Sequence, residues 1–202
     1  MEIDLNSPMN QLTTYIRGFD NVLDKKLLNT FLKVCQNDIN YTDGKIMSRP
    51  KEAISEKIDK SARNVGMYSL SNFKEKSLTM VHWSSILTNV FHEQILRYVN
   101  QLKIYANVNI NDIQILKYKV GGHYKIHVDS GPKVFRTLSL IYFLNDNYEG
   151  GNLCFGLPNT NVTFDIPKKD NRLIIWPSNF MYPHTVTPVT KGERYSVVAW
   201  AQ

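Results

Sequence analysis

His127 and Asp129 stand two residues apart, His184 follows 55 positions after Asp129, and Arg194 comes ten further on. Two imidazoles and one carboxylate form the donor set that holds a non-haem ferrous ion while leaving coordination positions open for chemistry. An arginine at a suitable distance can then grip the far carboxylate of an organic co-substrate through a bidentate pair.

In a strand, residues 127 and 129 leave the same face about 6.5–7 Å apart at the backbone, close enough to reach for one ion. The third ligand must come from another strand, and His184 is the only histidine downstream. His123 leaves the ligand set open, because His123, Lys125, His127 and Asp129 share a face if the strand is continuous. A polar, water-exposed strand face would explain that row without a metal. Thr190-Lys191-Gly192 reads as a turn between strands 184–189 and 193–200. A hairpin centred there pairs position 184 with about 198 and places Arg194 roughly 13 Å of backbone from the metal level. Arg194, Ser196, Val198 and Trp200 share one face. A guanidinium inside an apolar barrel requires an anion, since an unpaired buried charge is very costly.

Positioning these residues needs strands, and the chain supplies them after Asn111. Short runs rich in Ile, Val, Tyr and Phe occupy 113–120, 124–129, 135–144, 151–155, 161–166, 172–176, 183–189 and 193–201, with Gly, Asn, Asp and Pro between them. That grammar is mainly β, a sandwich or jelly roll. Before it, residues 21–36 put Leu23, Leu27, Leu28, Phe31, Leu32 and Cys35 on one helical face, with Asp24 as cap and Asn37-Asp38 as exit. A shorter helix is expected over 51–62. Residues 78–102 form the stronger helix, striped by Trp83, Ile86, Leu87, Val90, Phe91, Gln94, Ile95 and Tyr98. His82 and His92 read as ordinary helix residues. The expected whole is a β-sandwich with amphipathic N-terminal helices packed on one sheet.

Composition limits the alternatives. The chain has 202 residues, 43% hydrophobic and 21% charged, the balance of an ordinary globular domain. A net charge of +6 is spread over both halves, and no dense Lys/Arg stripe marks a nucleic-acid footprint. The segment MEIDLNSPMNQL lacks the basic region and apolar run of a signal peptide, and the apolar stretches are strand-sized. The expectation is a cytoplasmic protein with no membrane span, in which Cys35 and Cys154 stay reduced.

YKVGGHYKIHVDS (118–130), FRTLSLIYFLNDNYEGGNLCF (135–155) and PHTVTPVTKGERYSVVAW (183–200) resemble the catalytic core of the prolyl 4-hydroxylase family of Fe(II)- and 2-oxoglutarate-dependent dioxygenases. The resemblance runs through about residues 113–202. It implies a double-stranded β-helix, with His127, Asp129 and His184 as iron ligands and catalytic centre. Arg194 would pair with the C5 carboxylate of 2-oxoglutarate. Tyr118, Thr185, Val186 and Trp200 would lie around that co-substrate, and Arg136 would face the peptide. The implied co-substrates are 2-oxoglutarate and O2, with ascorbate as an auxiliary and succinate and CO2 as products. The implied partner is a proline-containing peptide or protein.

Two departures stand out. Asp170-Asn171 replaces a usual glycine, and Phe143 stands where some relatives carry a tyrosine that contacts the co-substrate. The whole is expected to be one domain over 1–202, with 1–110 as helical support and substrate-side loops and 111–202 as the catalytic core. The mouth of the site is expected between 37–50, 64–78 and the Asp146–Gly151 loop, with Gly66 and SLSNF as a mobile flap. Tyr142 and Tyr148 are candidates for a substrate groove, while Trp176 reads first as packing. The same metal motif would also serve a free amino acid, another protein residue or a nucleobase. A non-enzymatic β-sandwich binding module is the alternative of a different class, and the spacing of Arg194 behind His184 argues against it.

Overall fold

The computed structural model describes residues 12–48, 55–71, 77–105, 109–131, 134–156 and 163–202. The first half runs β1 (Arg17–Asp20), α1 (Lys25–Asn37), β2 (Thr42–Asp43), β3 (Lys45–Ser48), β4 (Ser55–Ile58), β5 (Arg63–Asn64), β6 (Gly66–Ser69) and α2 (Leu78–Leu102). The second half runs β7 (Ile110–Tyr118), β8 (His123–His127), β9 (Leu138–Phe143), β10 (Glu149–Gly150), β11 (Leu153–Gly156) and β12 (Thr163–Asp165). It closes with β13 (Arg172–Pro177), β14 (His184–Val186), β15 (Val189–Lys191) and β16 (Arg194–Ala201). Each of the eight β segments read from the sequence contains a strand.

Two antiparallel sheets build the jelly roll. The larger has the order β1-β13-β9-β16-β7-β6-β2, and the smaller β12-β11-β14-β8-β5. Alternation along the central strands divides the labour between the two faces of the larger sheet. Tyr195, Val197, Ala199 and Ala201 of β16 join Leu138, Leu140, Leu173 and Ile175 in the core beneath the helices. The intervening residues, among them Arg194, Ser196, Val198 and Trp200, turn to the interior between the sheets.

Both long helices bury the stripes their periodicity marks. α1 buries Leu28, Phe31 and Cys35, and its cap Asp24 accepts hydrogen bonds from the amides of Lys26 and Leu27. α2 buries Trp83, Leu87, Phe91, Gln94, Ile95 and Tyr98. Phe31 and Trp83 lock the two helices together with ring centroids 4.6 Å apart. Burying each such aromatic against the sheet contributes roughly 1.5–3 kcal/mol. No helix among the described residues is long and apolar enough to cross a membrane.

Three local expectations are corrected. The helix expected over 51–62 is instead a hairpin arm: β4 pairs antiparallel with β3, Lys45 opposite Ile58 and Ile46 opposite Lys57. Its thin apolar content offers a helix nothing to bury, and residues 51–54 of that expectation lie outside the described residues. The segment expected at the mouth, 64–78 with a flap at Gly66 and SLSNF, begins as β6, paired with β7 from Gly66↔Lys117 to Ser69↔Gln114. Val65 and Leu70 on either side of it are buried, and Ser84 of α2 donates to the Leu70 carbonyl. Residues 72–76 of that expectation lie outside the described residues.

The hairpin register is the third correction. β14 pairs with β11 and β8, whereas β16 pairs with β7 and β9. β15 pairs with β10 and carries the chain from the smaller sheet to the larger, so 184 does not face 198. The turn itself is real, with Gly192 at φ 78°.

Candidate active site

His184 on β14 is the direct cross-strand partner of His127 on β8. Asp129 lies two residues beyond His127, just past the strand end, so all three side chains converge where the smaller sheet faces the larger. Asp129 Oδ1 is 3.7 Å from His127 Nε2, and its Oδ2 is 3.5 Å from His184 Nε2. One donor atom from each of the three lies within 4.8 Å of the others, the group among the described residues suited to a metal ion.

A bulge explains why His123 is absent from the set. Between His184↔His127 and Val186↔Tyr124 the register shifts, because β8 spends three residues where β14 spends two. That extra residue breaks the alternation, turning Tyr124 rather than His123 toward His127. The Tyr124 ring stacks on His127 at 3.6 Å, and the His123 ring lies within hydrogen-bonding reach of the carbonyls of Gly121 and Ser61.

Each ligand is oriented from behind. His127 Nδ1 lies 2.8 Å from the Lys125 carbonyl, and His184 Nδ1 lies 3.0 Å from that of Tyr182. Each bond places the ring proton on Nδ1 and leaves the Nε2 lone pair facing the shared centre. Burial first, and then the neighbouring His184, push the His127 pKa down to about 3, which keeps its ring neutral and able to ligate. Asp129 accepts from the Ser139 hydroxyl at 2.7 Å, and Ser139 is itself 2.7 Å from Ser178 Oγ. Burial pushes the Asp129 carboxyl up, but the two imidazoles and Ser139 outweigh it and leave the group below its ordinary value.

A cavity of about 600 Å³ opens over this centre. Tyr118, Leu116, Val186 and Val198 line its inner part, with Trp200 and Arg136 nearer the ligands. The Arg136 guanidinium stacks 3.6 Å from the Trp200 ring centroid and donates to the Asp129 carbonyl at 3.2 Å. Tyr118 reaches the inner part because Gly121, at φ 80°, reverses the chain, and Gly122 lets the turn close tightly. A Cβ at Gly122 would sit 2.7 Å from the Lys119 carbonyl oxygen.

Arg194 faces Tyr118 across β16 and β7. It is 0% exposed, with its guanidinium 4.9 Å from the Tyr118 ring centroid and 5.3 Å from that of Phe143. Nη1 donates to Ser196 Oγ at 2.8 Å, whereas Nε and Nη2 have no partner. A fully buried cation with two idle donors is costly in the ligand-free protein. An incoming carboxylate would satisfy both.

Several expected positions differ. Tyr142 is not in a substrate groove: its parity points it beneath the helices, where it is 0% exposed, meets Phe91 edge-on and donates to Asn171 Oδ1 at 2.7 Å. Tyr148 is buried beside Arg194 rather than at the mouth, and no residue of the Asp146–Gly151 loop lines the cavity. Thr185 points away from the cavity and donates to the Tyr124 carbonyl, leaving Val186 as the inward neighbour of His184. Of the expected mouth segments, 37–50 supplies Lys45 and Ile46 and 64–78 supplies Met67, and they are joined by Glu56, Arg63 and exposed Ile126. Trp176 packs as expected, but against His184, edge-on at 5.1 Å. Asn171 holds the left-handed conformation, φ 59°, in place of the usual glycine.

Tyr124 and Ser139 were missed by sequence reasoning. The bulge hides the first. The second carries one signal, a lone serine among the aliphatic and aromatic residues of Leu138–Phe143.

Over residues 113–202 the chain matches the 2OG-Fe(II) oxygenase superfamily. A PKHD-type hydroxylase of Aliarcobacter butzleri (strain RM4018) is 29% identical over 195 residues, covering 90% of this chain and 75% of that one. Prolyl 3-hydroxylase 2 of Homo sapiens is 39% identical over 67 residues, 33% of this chain and 10% of that much longer protein. In three dimensions the chain resembles a Trichoplax adhaerens prolyl hydroxylase solved with a hypoxia inducible factor oxygen degradation domain peptide fragment. The TM-score is 0.73 at 22% identity, covering 95% of this chain and 86% of that one, which bears out the jelly-roll fold. Fe(II) and 2-oxoglutarate fit the residues present: two imidazoles and a carboxylate around one point, and a buried guanidinium with two unpaired donors behind Tyr118.

Proposed function

For a chain whose residues 113–202 match the 2OG-Fe(II) oxygenase superfamily, we propose hydroxylation of prolyl residues in a peptide or protein, with succinate and CO2 as co-products. The observation that carries the co-substrate reading is the pair of idle donors on buried Arg194, Nε and Nη2. They lie behind Tyr118, which Arg194 packs against and which lines the cavity over His127, Asp129 and His184. A five-carbon diacid is the ligand that has one carboxylate for each end.

Bound Fe(II), with 2-oxoglutarate and O2, supplies the oxidising power that inserts one oxygen atom into a substrate C–H bond. The chain's own residues would perform five other tasks. His127, Asp129 and His184 would hold the metal, with their orientation set by the Lys125 and Tyr182 carbonyls and by Ser139. Arg194 would neutralise the far carboxylate, and Tyr118 and Val186 would wall the space between. Trp200, Leu116 and Val198 exclude water from the reacting centre. Arg136, stacked on Trp200 beside the Asp129 carbonyl, would offer its remaining donors to a backbone carbonyl of the substrate.

The prolyl preference rests on the prolyl hydroxylases among the relatives and on the form of the mouth. The rim from the β3–β4 hairpin to the exposed apolar Ile126 is open enough for an extended chain, and proline is an apolar ring carried on one. Residues 1–110 would act with the core as one domain, the helices backing the larger sheet and the hairpin framing the substrate side. The test is succinate release from 2-oxoglutarate with Fe(II), with and without a proline-rich peptide, followed by mass spectrometry of that peptide. A gain of one oxygen on proline is the expected result. Oxygen gained on another residue, or turnover stimulated only by a free amino acid or a nucleobase, would replace prolyl peptide with that substrate.

A further inference from the structure

We propose that the Tyr148 hydroxyl is the second protein donor to the far carboxylate of the co-substrate, completing the subsite that Arg194 begins. The inference rests on the 2-oxoglutarate reading and adds a binding residue to it.

Six buried side-chain nitrogen or oxygen atoms among the described residues lack a hydrogen-bond partner, and three of them belong to Arg194 and Tyr148. Tyr148 is 4% exposed. Leaving a buried hydroxyl unpaired costs roughly 1–3 kcal/mol, so its position beside an unsatisfied guanidinium calls for a shared acceptor. The phenol oxygen can accept from Arg194, but a guanidinium only donates, so the Tyr148 proton still needs an acceptor from outside the pair.

The backbone around Tyr148 is arranged to bring the two side chains together. Gly151 has φ 59°, and a Cβ there would lie 3.1 Å from Arg194 Cδ and 3.2 Å from Tyr148 Cε2. The arginine stem and the phenol ring therefore close on a spot that only glycine leaves open. Gly192 passes the other side of the residue, where a Cβ would stand 3.4 Å from Tyr148 Cα and Cβ. Lys168 fixes the loop from outside, bonding the Tyr148 carbonyl and placing its ammonium 4.5 Å from the ring centroid. Phe143 offers the same guanidinium only an apolar ring. Burial raises the Tyr148 pKa against the opposing pull of Arg194, so the phenol keeps its proton at neutral pH and can donate it.

The test compares two ligands on the Fe(II)-loaded full chain under anaerobic conditions. One is 2-oxoglutarate; the other is 2-oxopentanoate, of equal carbon length but lacking the far carboxylate. Tyr148→Phe is expected to weaken 2-oxoglutarate about tenfold or more, the scale of a hydrogen bond to a charged group, and to leave 2-oxopentanoate unchanged. Equal weakening of both ligands, or none of either, overturns the proposal. Tyr148→Phe keeps the ring that Gly151 and Gly192 accommodate, and its melting temperature reports on the fold. Should the variant unfold, tyrosine-selective carbon NMR of the native protein reads the same bond. One buried phenol resonance should move with 2-oxoglutarate and not with 2-oxopentanoate; no movement overturns the proposal. The underlying reading fails separately, if the unaltered protein does not prefer 2-oxoglutarate or if Arg194→Met keeps the preference.

Discussion

The two ends of the interior solve opposite problems. At the metal end each ligand is held by a bond on its far side: His127 by the Lys125 carbonyl, His184 by that of Tyr182, Asp129 by Ser139. At the Arg194 end the cation is buried with a single bond, to Ser196, and two donors stand idle. The first arrangement is complete before any ligand arrives. The second is left in debt of an anion, and its unfavourable charge is relieved only on binding. Removing a residue should therefore leave the ligand-free fold intact at the metal end and stabilise it at the Arg194 end.

The largest effect is expected from His127→Ala or His184→Ala, each of which removes one of three metal donors. Isothermal titration with Fe(II) or Mn(II) should show binding lost and turnover reduced to background, with folding intact. Retention of normal metal affinity would show that the ion sits elsewhere. Next comes Arg194→Met. Truncating one partner of a buried charged pair costs about 2–5 kcal/mol of binding, so 2-oxoglutarate affinity should fall at least thirtyfold, roughly the lower end of that range. The ligand-free variant should melt higher than the parent, because an unpaired buried charge has been removed. A lower melting temperature would mean that Arg194 already has its counter-charge.

Ser139→Ala probes the support behind the metal. Losing such a partner lowers metal affinity about 10–100-fold, and the effect should be confined to the metal and leave the Arg194 end intact. Tyr142→Phe separates the cavity from the helix-facing core. Its hydroxyl donates to Asn171, so stability should drop by about 1 kcal/mol while turnover stays unchanged. A turnover defect would restore Tyr142 to the substrate side.

The smallest effect belongs to Asp20, far from both ends. Its hydrogen bond to Arg172, and then that to Lys169, hold its carboxyl well below the ordinary value of 3.8. A depressed carboxylate stabilises the fold above its unfolded pKa, and the contribution is lost as pH falls through the folded one. Asp20→Asn should cost roughly 0.2–1 kcal/mol at neutral pH, the scale of a largely solvated pair. That difference from the parent should fade as the pH is lowered below 3.8, as followed by chemical denaturation.

The same contrast governs how much could be read beforehand. His127, Asp129 and His184 were legible because residues two apart in extended backbone share a face, even with Asp129 just past the end of β8, and because a single downstream histidine remained. Arg194 was legible by spacing and resemblance, but its neighbours were not. β15 crosses to the other sheet, and a hairpin register read from local sequence cannot anticipate a partner, β10, that arrives from elsewhere in the chain. Tyr142 and Tyr148 were misplaced for related reasons. Strand parity assigns the first to the helix side only once Ser139 is known to face the metal, and the second is placed by two glycines distant from each other in sequence. Tyr124 was hidden by a bulge, which leaves no mark in hydrophobic alternation. The long helices needed no such context, since their stripes and the Asp24 cap are local properties. β4 was misread as helix because a short polar segment takes its conformation from the strand it meets.

One measurement bears most directly on the claim that a single co-substrate bridges the two ends. It is an anaerobic titration of 2-oxoglutarate into the protein with and without Fe(II), following the charge-transfer absorbance of a chelated 2-oxo acid. A saturable band should appear with Fe(II), vanish in His127→Ala, and in Arg194→Met require far more ligand to reach the same intensity. A band that forms in Arg194→Met at the concentrations that suffice for the parent would contradict the bridge.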